Sequence, residues 1–307
     1  MNNDIKRFIF RTVIILNLIA LACNTISGPE QAVDAKPIMT EAPEGELNAI
    51  LATKDLMVGT NRIAFLLTNS KALITTPAVS VKPVYLGSAP STWQATTPEL
   101  YFWPFGSRGN YVTELFFDRP GDWQLDVEVE EDGATRLARI LLDVQETSTT
   151  PSLSTVPPIA ANKTIRDVEG IRELTTRSVP DRDLYLMTIE EALGTEQPLL
   201  VVFASPALCT SPTCGPQVET VEQVKDEYKG RMNFIHVEVY DNPNAIQGDM
   251  SRATFARIID TWAYTQLEVY RNASFVFIIA GDGLITSKYE GFATKRELEK
   301  GLKDVLD

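Results

Sequence analysis

Hydrophobic and polar residues alternate in the chain before residue 147. In WQLDVEVE, residues 123–130, every second residue is hydrophobic, and the residues between are polar or acidic. The same alternation occurs in 61–69 and 111–118, with turn-forming residues between the segments. Alternation of this kind is typical of strands with one buried and one solvated face. The pattern therefore predicts an all-β sandwich over residues 46–146.

The pattern changes after residue 162. LLVVF at 199–203 is an unbroken hydrophobic run, which indicates a strand buried on both faces. Val218, Val221 and Val224 then recur at helical spacing behind Pro216, a residue favoured in the first turn of a helix.

The remaining elements complete an α/β arrangement. We expect a strand at 233–240, a hairpin of 274–280 with 284–290, and a last helix that opens with the capping-box pair Thr294 and Glu297. The order strand, cysteine loop, helix, strand, hairpin, helix predicts an α/β domain over residues 162–307.

Two segments lack any hydrophobic period. Residues 23–45 contain scattered prolines, and residues 147–161 read TSTTPSLSTVPPIAA. Such compositions are typical of extended spacers. We interpret 23–45 as a tether and 147–161 as a linker between the two domains.

The N-terminus has the features of an export signal. Basic residues precede a hydrophobic stretch at 13–22, which is too short to cross a bilayer but has the size of a signal-peptide core. The segment Ala20-Leu21-Ala22-Cys23 resembles the lipobox of bacterial lipoproteins. The resemblance implies removal of residues 1–22 and a lipid on Cys23, which would place the protein in the cell envelope, anchored to the membrane outside the cytoplasm. An ordinary signal peptide cleaved after Ala22 is the alternative.

Charge and composition exclude several classes of function. The formal net charge is −13, which argues against nucleic acid as the main partner because phosphate binding needs a basic surface. One histidine excludes a metal cage of several histidines, and three cysteines exclude a disulfide-rich scaffold. The sequence gives no sign of a cofactor.

The remaining two cysteines lie in one loop. Phe203 is followed by ASPALCTSPTCGPQ, which places Cys209 and Cys214 between the first strand and first helix of the α/β domain. Cys-Gly-Pro in this setting resembles the active site of the thioredoxin superfamily. The wider stretch resembles exported bacterial thioredoxin-like proteins with a CxxxxCGP loop. The resemblance implies a thioredoxin fold and exchange of disulfides with other proteins through Cys209 and Cys214.

Three positions depart from the thioredoxin pattern. Gln217 stands where a second cysteine would follow Cys214-Gly-Pro, and Val202 stands where thioredoxins carry a buried acid. The position of the usual cis-proline falls on Ala273 or Ser274. These departures leave a purely structural disulfide open as an alternative.

The β-domain stretch FDRPGDWQLDV resembles small exported immunoglobulin-like domains. That resemblance implies an immunoglobulin-like sandwich that serves as a spacer or docking module. No cluster of histidine or methionine accompanies it, so the sequence does not predict a copper site there.

Helix electrostatics distinguishes the two cysteines. Pro216 suggests Gly215 as the N-cap, with Cys214 just ahead of the helix, where unpaired N–H groups favour a thiolate. We therefore expect Cys214 to have the lower pKa and Cys209 to be more accessible. An oxidising compartment would keep the pair as a disulfide.

His236 lies within the predicted strand 233–240. A histidine in such a place is typically a hydrogen-bonded core residue. The alternative is a copper site of Cys209, Cys214 and His236, a chemistry that resembles the Sco-type copper chaperones. A third hypothesis is a binding module that uses the thioredoxin fold only as a scaffold.

Overall fold

The computed structural model describes residues 47–69, 72–89, 93–131, 133–263, 266 and 274–306. They belong to one compact unit, Ala42–Asp307. The predicted signal peptide, Cys23 and the tether at 23–45 lie outside the described residues. Within the described residues, no helix has the length and hydrophobicity needed to cross a membrane.

The first half of the described chain is built of β-strands. Their bounds are β1 Asn48–Leu51, β2 Gly59–Thr68, β3 Leu73–Ile74, β4 Val79–Tyr85, β5 Glu99–Phe102, β6 Gly109–Phe117, β7 Gly121–Glu131 and β8 Ala134–Val144. One sheet has the order β1-β2-β6-β5 with β3 beside β2, and a second has the order β4-β7-β8. All pairings are antiparallel.

The two sheets share one core, as the alternation predicts. The four hydrophobic residues of β7, from Trp123 to Val129, are fully buried. Phe65 of β2 and Phe117 of β6 are equally buried, and the ring centroids of Phe117 and Trp123 lie 5.0 Å apart. This edge-on contact joins the two sheets. The immunoglobulin-like character of this half stays a prediction.

The second half alternates strands and helices. Its strands are β9 Leu199–Ala204, β10 Asn233–Glu238, β11 Phe275–Ile279 and β12 Ile285–Glu290, and its helices are α1 Ile189–Leu193, α2 Cys214–Tyr228, α3 Pro243–Ile246, α4 Arg257–Thr261 and α5 Lys295–Leu306. Short 3₁₀ segments lie at Ile171–Glu173, Arg182–Tyr185 and Met250–Arg252. The predicted order of elements is confirmed.

These four strands form one mixed sheet in the order β10-β9-β11-β12. Strand β9 runs parallel to β10, whereas β11 is antiparallel to both β9 and β12. Every residue of β9 is buried, because Leu200 and Val202 join a core with α2 and α5, and Phe203 packs on the other face against Trp262. The unbroken hydrophobic run at 199–203 therefore reflects burial on both faces of the sheet, as expected.

The segment at 147–161 is held by specific contacts. Asp55 accepts hydrogen bonds from Ser148 Oγ at 2.7 Å and from the backbone N–H of Thr149 at 2.8 Å. Ser154 N–H donates to Ile285 O, and Ile285 N–H donates to Thr155 O, which pairs the segment with the start of β12.

Polar contacts also join the β half to the end of the α/β half. Arg62 of β2 donates from Nε to Glu297 Oε1 at 2.5 Å, and from Nη1 and Nη2 to the carbonyl oxygens of Glu290 and Phe292. Lys288 Nζ lies 3.0 Å from Asp55 Oδ2. Whether residues 46–146 and 162–307 fold independently stays a prediction.

Candidate functional site

Cys209 and Cys214 are joined by a disulfide in the loop between β9 and α2. Their Cα atoms lie 6.2 Å apart, within the usual range for a disulfide. The loop turns back immediately after β9, since the N–H groups of Leu208 and Cys209 both donate to Ser205 O, at 3.2 and 3.1 Å. This turn brings the two cysteines together despite the four residues between them.

The helix begins earlier than the sequence predicts. Gly215 was the expected N-cap, but Cys214 is the first residue of α2 and Thr213 is its N-cap. Gln217 N–H donates to Thr213 O at 2.8 Å and closes the first turn. Pro216 is therefore the third helical residue. Proline is accepted there because no residue of the first turn needs its N–H for an intrahelical bond.

The two sulfur-bearing residues have different environments. Cys214 is fully buried in the core shared by α2 and α5, whereas Cys209 is partly exposed. The side chain of Thr213 makes no capping bond to α2, because its Oγ1 pairs with Ser211 Oγ at 2.8 Å. Since the first turn holds no acidic residue either, its N–H groups remain available to a thiolate on Cys214.

Two of the departures from the thioredoxin pattern have structural roles. Gln217 is fully buried, and its Oε1 accepts a hydrogen bond from Ala293 N–H at 2.7 Å. Ser274 precedes β11 and pairs with Gly291, donating from Oγ and accepting from the Gly291 N–H. Ala273 lies outside the described residues. Both Gln217 and Ser274 thus fix the segment 291–293 beside the helix that carries Cys214.

Sequence reasoning missed Glu238 at the end of β10. Its Oε2 accepts hydrogen bonds from the N–H of Thr176 at 2.8 Å and from Thr176 Oγ1 at 2.9 Å. Thr176 Oγ1 in turn accepts from Ala207 N–H at 3.0 Å, in the cysteine loop. Burial raises the pKa of Glu238 to about 7, although several hydrogen bonds oppose the rise. A group that titrates near neutral pH is therefore linked to the loop of the disulfide.

An ion pair also holds the segment that carries Thr176. Arg177 donates from Nε and Nη2 to the two carboxylate oxygens of Glu222 in α2, at 2.6 and 2.5 Å. Both side chains are largely buried. This bidentate pair fixes Thr176 against both the sheet and the cysteine helix.

His236 is a buried, hydrogen-bonded core residue. Its Nε2 lies 3.0 Å from Ala204 O, and its Nδ1 lies 2.6 Å from the hydroxyl of Tyr185. A carbonyl oxygen can only accept, so Nε2 carries the proton and Nδ1 accepts from Tyr185. Burial lowers the pKa of His236 to about 4, which keeps the ring neutral.

Hydrogen bonds therefore occupy both nitrogens that a metal could use. The structure does not unite His236 with Cys209 and Cys214 in one ligand set. Across the described ranges, no three His, Cys, Asp or Glu side chains are placed to hold a metal ion.

Glu238 and His236 also line a small cavity of about 160 Å³ together with Tyr185. In sequence the three residues give no common motif, because Tyr185 comes from a 3₁₀ segment 51 residues before His236. Only the alternation within β10 could have placed Glu238 and His236 on one face, and it could not show what covers that face.

No family model matches the chain, and no curated protein matches it. Among solved structures, the chain is similar to a thiol:disulfide interchange protein of the thioredoxin family from Chlorobium tepidum TLS. The match has a TM-score of 0.33 and 14% sequence identity, and it covers 51% of this chain and 99% of that chain.

Proposed function

We propose that the chain is a thioredoxin-fold protein that exchanges its Cys209–Cys214 disulfide with thiols of other proteins. The order and directions of strands β9 to β12, with α2 following β9, support a thioredoxin fold. The carrying observation is the asymmetry of the disulfide, with Cys209 partly exposed and Cys214 buried at the start of α2. A disulfide that only stabilises the fold needs no such asymmetry. An exchange reaction uses it, because a partner can reach one sulfur and not the other.

The asymmetry assigns a role to each sulfur. A partner thiolate attacks Cys209 Sγ, forming a mixed disulfide, and the Cys209–Cys214 bond breaks with its electron pair going to Cys214 Sγ. A leaving thiol with a lower pKa leaves faster, and the N-terminal N–H groups of α2 stabilise the Cys214 thiolate.

The reaction is completed by a second thiolate of the partner. It attacks the partner sulfur of the mixed disulfide and releases Cys209 as a thiolate. The partner dithiol is then oxidised by two electrons and the Cys209–Cys214 pair is reduced, with two protons taken up by the pair in its dithiol form. The reverse sequence uses the same bonds and reduces a partner disulfide.

The proposed place of action is outside the cytoplasm, at the membrane. The basis is the signal-like segment at 1–22 and the lipobox-like residues before Cys23. A disulfide at rest fits an oxidising compartment. The β half would then act as a spacer or docking module between the anchor and the redox domain.

The reduction potential of the pair tests the proposed function. Equilibration of the folded protein with dithiothreitol or glutathione buffers, followed by alkylation and mass measurement, gives the oxidised fraction. Exchange proteins lie well above about −300 mV, and structural disulfides lie near or below it. We expect a reduction potential well above −300 mV. A value near or below −300 mV would indicate a structural disulfide or a non-catalytic binding module.

A trapping experiment adds a direct test of the exchange step. Cys214→Ser leaves the accessible Cys209 without its resolving partner, so mixed disulfides with cell-envelope proteins should accumulate. Cys209→Ser is the matched control and should trap far less, since Cys214 is buried. Equal trapping by both variants, or by neither, would contradict the assigned roles.

A further inference from the structure

A hydrogen bond ties the cysteine loop to a segment that lies outside it. Ala207 N–H, two residues before Cys209, donates to Thr176 Oγ1 at 3.0 Å. The same turn is closed from within by Ser205 O, which accepts from the N–H groups of Leu208 and Cys209. Thr176 therefore holds the turn that brings Cys209 back toward the start of α2.

Thr176 is oriented for this contact by a buried carboxylate. Its N–H and its Oγ1 both donate to Glu238 Oε2, at 2.8 and 2.9 Å, and Glu238 Oε1 accepts from Val239 N–H at 3.1 Å. A hydroxyl group has one proton to donate, so Oγ1, which gives its proton to Glu238, can only accept from Ala207. The two bonds to one carboxylate oxygen thus fix the side chain of Thr176 with a lone pair toward the cysteine loop.

The residue after Thr176 fixes it relative to the helix that carries Cys214. Arg177 makes two hydrogen bonds to Glu222 of α2, and α2 begins at Cys214. The segment is therefore anchored to this helix, and through Thr176 it holds the cysteine loop in a fixed position beside the helix.

We propose that Thr176 is a positioning residue for disulfide exchange, which holds the cysteine loop closed and so favours the oxidised pair. It acts through the N–H of Ala207, and the bonds to Glu238 keep it in place. The inference rests on the proposed function, because it states how the fold sets the equilibrium of that same disulfide.

The contact acts on the balance between disulfide and dithiol. The disulfide keeps the Cα atoms of Cys209 and Cys214 6.2 Å apart, and Ala207 lies just before the first of them. Reduction removes the covalent tie, so the segment before Cys209 can sample positions in which its hydrogen bond to Thr176 is broken. A bond that is stronger in the oxidised form favours that form, because it keeps the two thiols at a high effective concentration for closure.

The equilibrium between the folded protein and dithiothreitol measures this effect. Dithiothreitol gives up two electrons and two protons as it closes to its cyclic disulfide, and the Cys209–Cys214 bond takes them up to form two thiols. Thr176→Val keeps the shape of the side chain and removes the hydroxyl. We expect the constant for reduction to rise about three- to tenfold, the effect of one net hydrogen bond. A tenfold rise is a shift of about 30 mV in reduction potential. An unchanged or smaller constant would overturn the proposal.

Thr176→Ser retains the hydroxyl and is the conservative variant. Its constant for reduction should stay within about twofold of the wild-type constant, because the bonds to Glu238 and Ala207 remain available. A shift as large as that of Thr176→Val would overturn the proposal, since the hydroxyl would then not be the group that acts.

Thr164→Val is the matched control. Thr164 donates from its N–H and Oγ1 to Asp167 Oδ2, at 2.8 Å each, so it repeats the bonding of Thr176 to Glu238. Its Oγ1 accepts from the N–H of Arg166 instead of from the cysteine loop. Thr164→Val should therefore lose stability without changing the constant for reduction. Equal shifts in both valine variants would indicate a general effect of destabilisation and would overturn the proposal.

Amide hydrogen exchange of Ala207 tests the contact itself. Exchange in the oxidised wild type should be slower than in oxidised Thr176→Val, and slower than in the reduced wild type. Val201 N–H, within β9, reports any change in global stability, so the local effect can be separated from it. Equal exchange of Ala207 in the oxidised and reduced wild type would overturn the proposal, because the contact would then not distinguish the two states.

Failure of this inference and failure of the proposed function give different results. The absolute reduction potential of the wild type decides between exchange and a structural disulfide. The ratio of the constants of Thr176→Val and wild type decides the role of Thr176. A wild type in the range of structural disulfides, with a shifted variant, would reject exchange and retain the positioning role.

Discussion

Thr176 joins Glu238 to the cysteine loop through a single oxygen. Its Oγ1 donates to Glu238 Oε2 at 2.9 Å and accepts from Ala207 N–H at 3.0 Å. The carboxylate is therefore two hydrogen bonds away from the loop that carries Cys209. Any change in the charge of Glu238 acts on a group that the loop directly contacts.

The raised pKa of Glu238 makes its effect on stability depend on pH. Its folded pKa of about 7 lies above the unfolded value, so the folded state binds the extra proton between roughly pH 4.5 and 7. Ionisation at higher pH then disfavours the folded state. We expect the free energy of unfolding of Glu238→Gln, relative to wild type, to increase by about 2 kcal/mol between pH 5 and pH 8.

Urea unfolding of both proteins at the two pH values measures this difference. Glu190→Gln, on the exposed side of α1, is the control and should differ from wild type equally at pH 5 and pH 8. A Glu238→Gln difference that does not change with pH would show that burial does not perturb this carboxyl group.

Cys214 should have the lower thiol pKa of the pair. In reduced Cys209→Ser the remaining thiol lies at the first residue of α2, where the helix N–H groups favour its thiolate. Thiolate absorbance near 240 nm as a function of pH, which does not depend on access to a reagent, should give a pKa below about 8.5. Cys214→Ser, with Cys209 in the loop, is the matched control and should titrate closer to 8.5. The reverse order would contradict the assignment of the leaving sulfur.

Asp55 should be critical for the contact between the two halves. Burial acts against its charge, but Lys288 and hydrogen bonds from Thr150 and Ser148 outweigh that effect and hold its pKa below the ordinary value. Asp55→Ala leaves Lys288 without its anion in a largely buried place. We expect a loss of about 3 to 5 kcal/mol in the free energy of unfolding.

Limited proteolysis reports on the same contact. The variant should be cut faster within 147–161, because Asp55 also accepts hydrogen bonds from Ser148, Thr149 and Thr150. Asp118→Ala breaks an exposed pair with Arg119 and should change neither stability nor cleavage appreciably. A first cut of the wild type inside 199–240 would contradict the predicted boundary between the domains.

The lipid anchor is tested separately from the fold. If Cys23 carries a lipid, mass spectrometry of the mature N-terminus should show a diacylated Cys23, and the protein should sediment with membranes. Cys23→Ser should remove the modification and leave the protein in the soluble fraction after cell disruption. An unmodified Cys23 in the wild type would reject the anchor.

Much of the framework could be predicted from local patterns. Alternation of hydrophobic and polar residues predicted β7 and its buried Trp123. The helical spacing of the valines predicted α2, with nearly correct ends. The N-cap was misplaced by two residues because Pro216 was assigned to the first helical position, although proline is accepted throughout the first turn.

The missed features depend on distant partners. Glu238 looks in sequence like one polar residue of a strand, and its burial follows from Thr176, 62 residues earlier. The segment 147–161 has the composition of a free linker, yet Thr150 is buried because Asp55 lies beside it. Nothing in either local sequence reveals such a partner.

The Arg62–Glu297 ion pair spans 235 residues of sequence. A ribosome adds about 5 to 20 residues each second, so Arg62 emerges roughly 10 to 50 s before Glu297 exists. During that interval the β half must remain soluble with this surface uncovered. A guanidinium group and a carboxylate such as Asp55 tolerate water until their partners arrive, whereas an entirely hydrophobic surface would invite aggregation. Because the contacts between the halves are polar, the β half keeps a surface compatible with water until the α/β half has been synthesised.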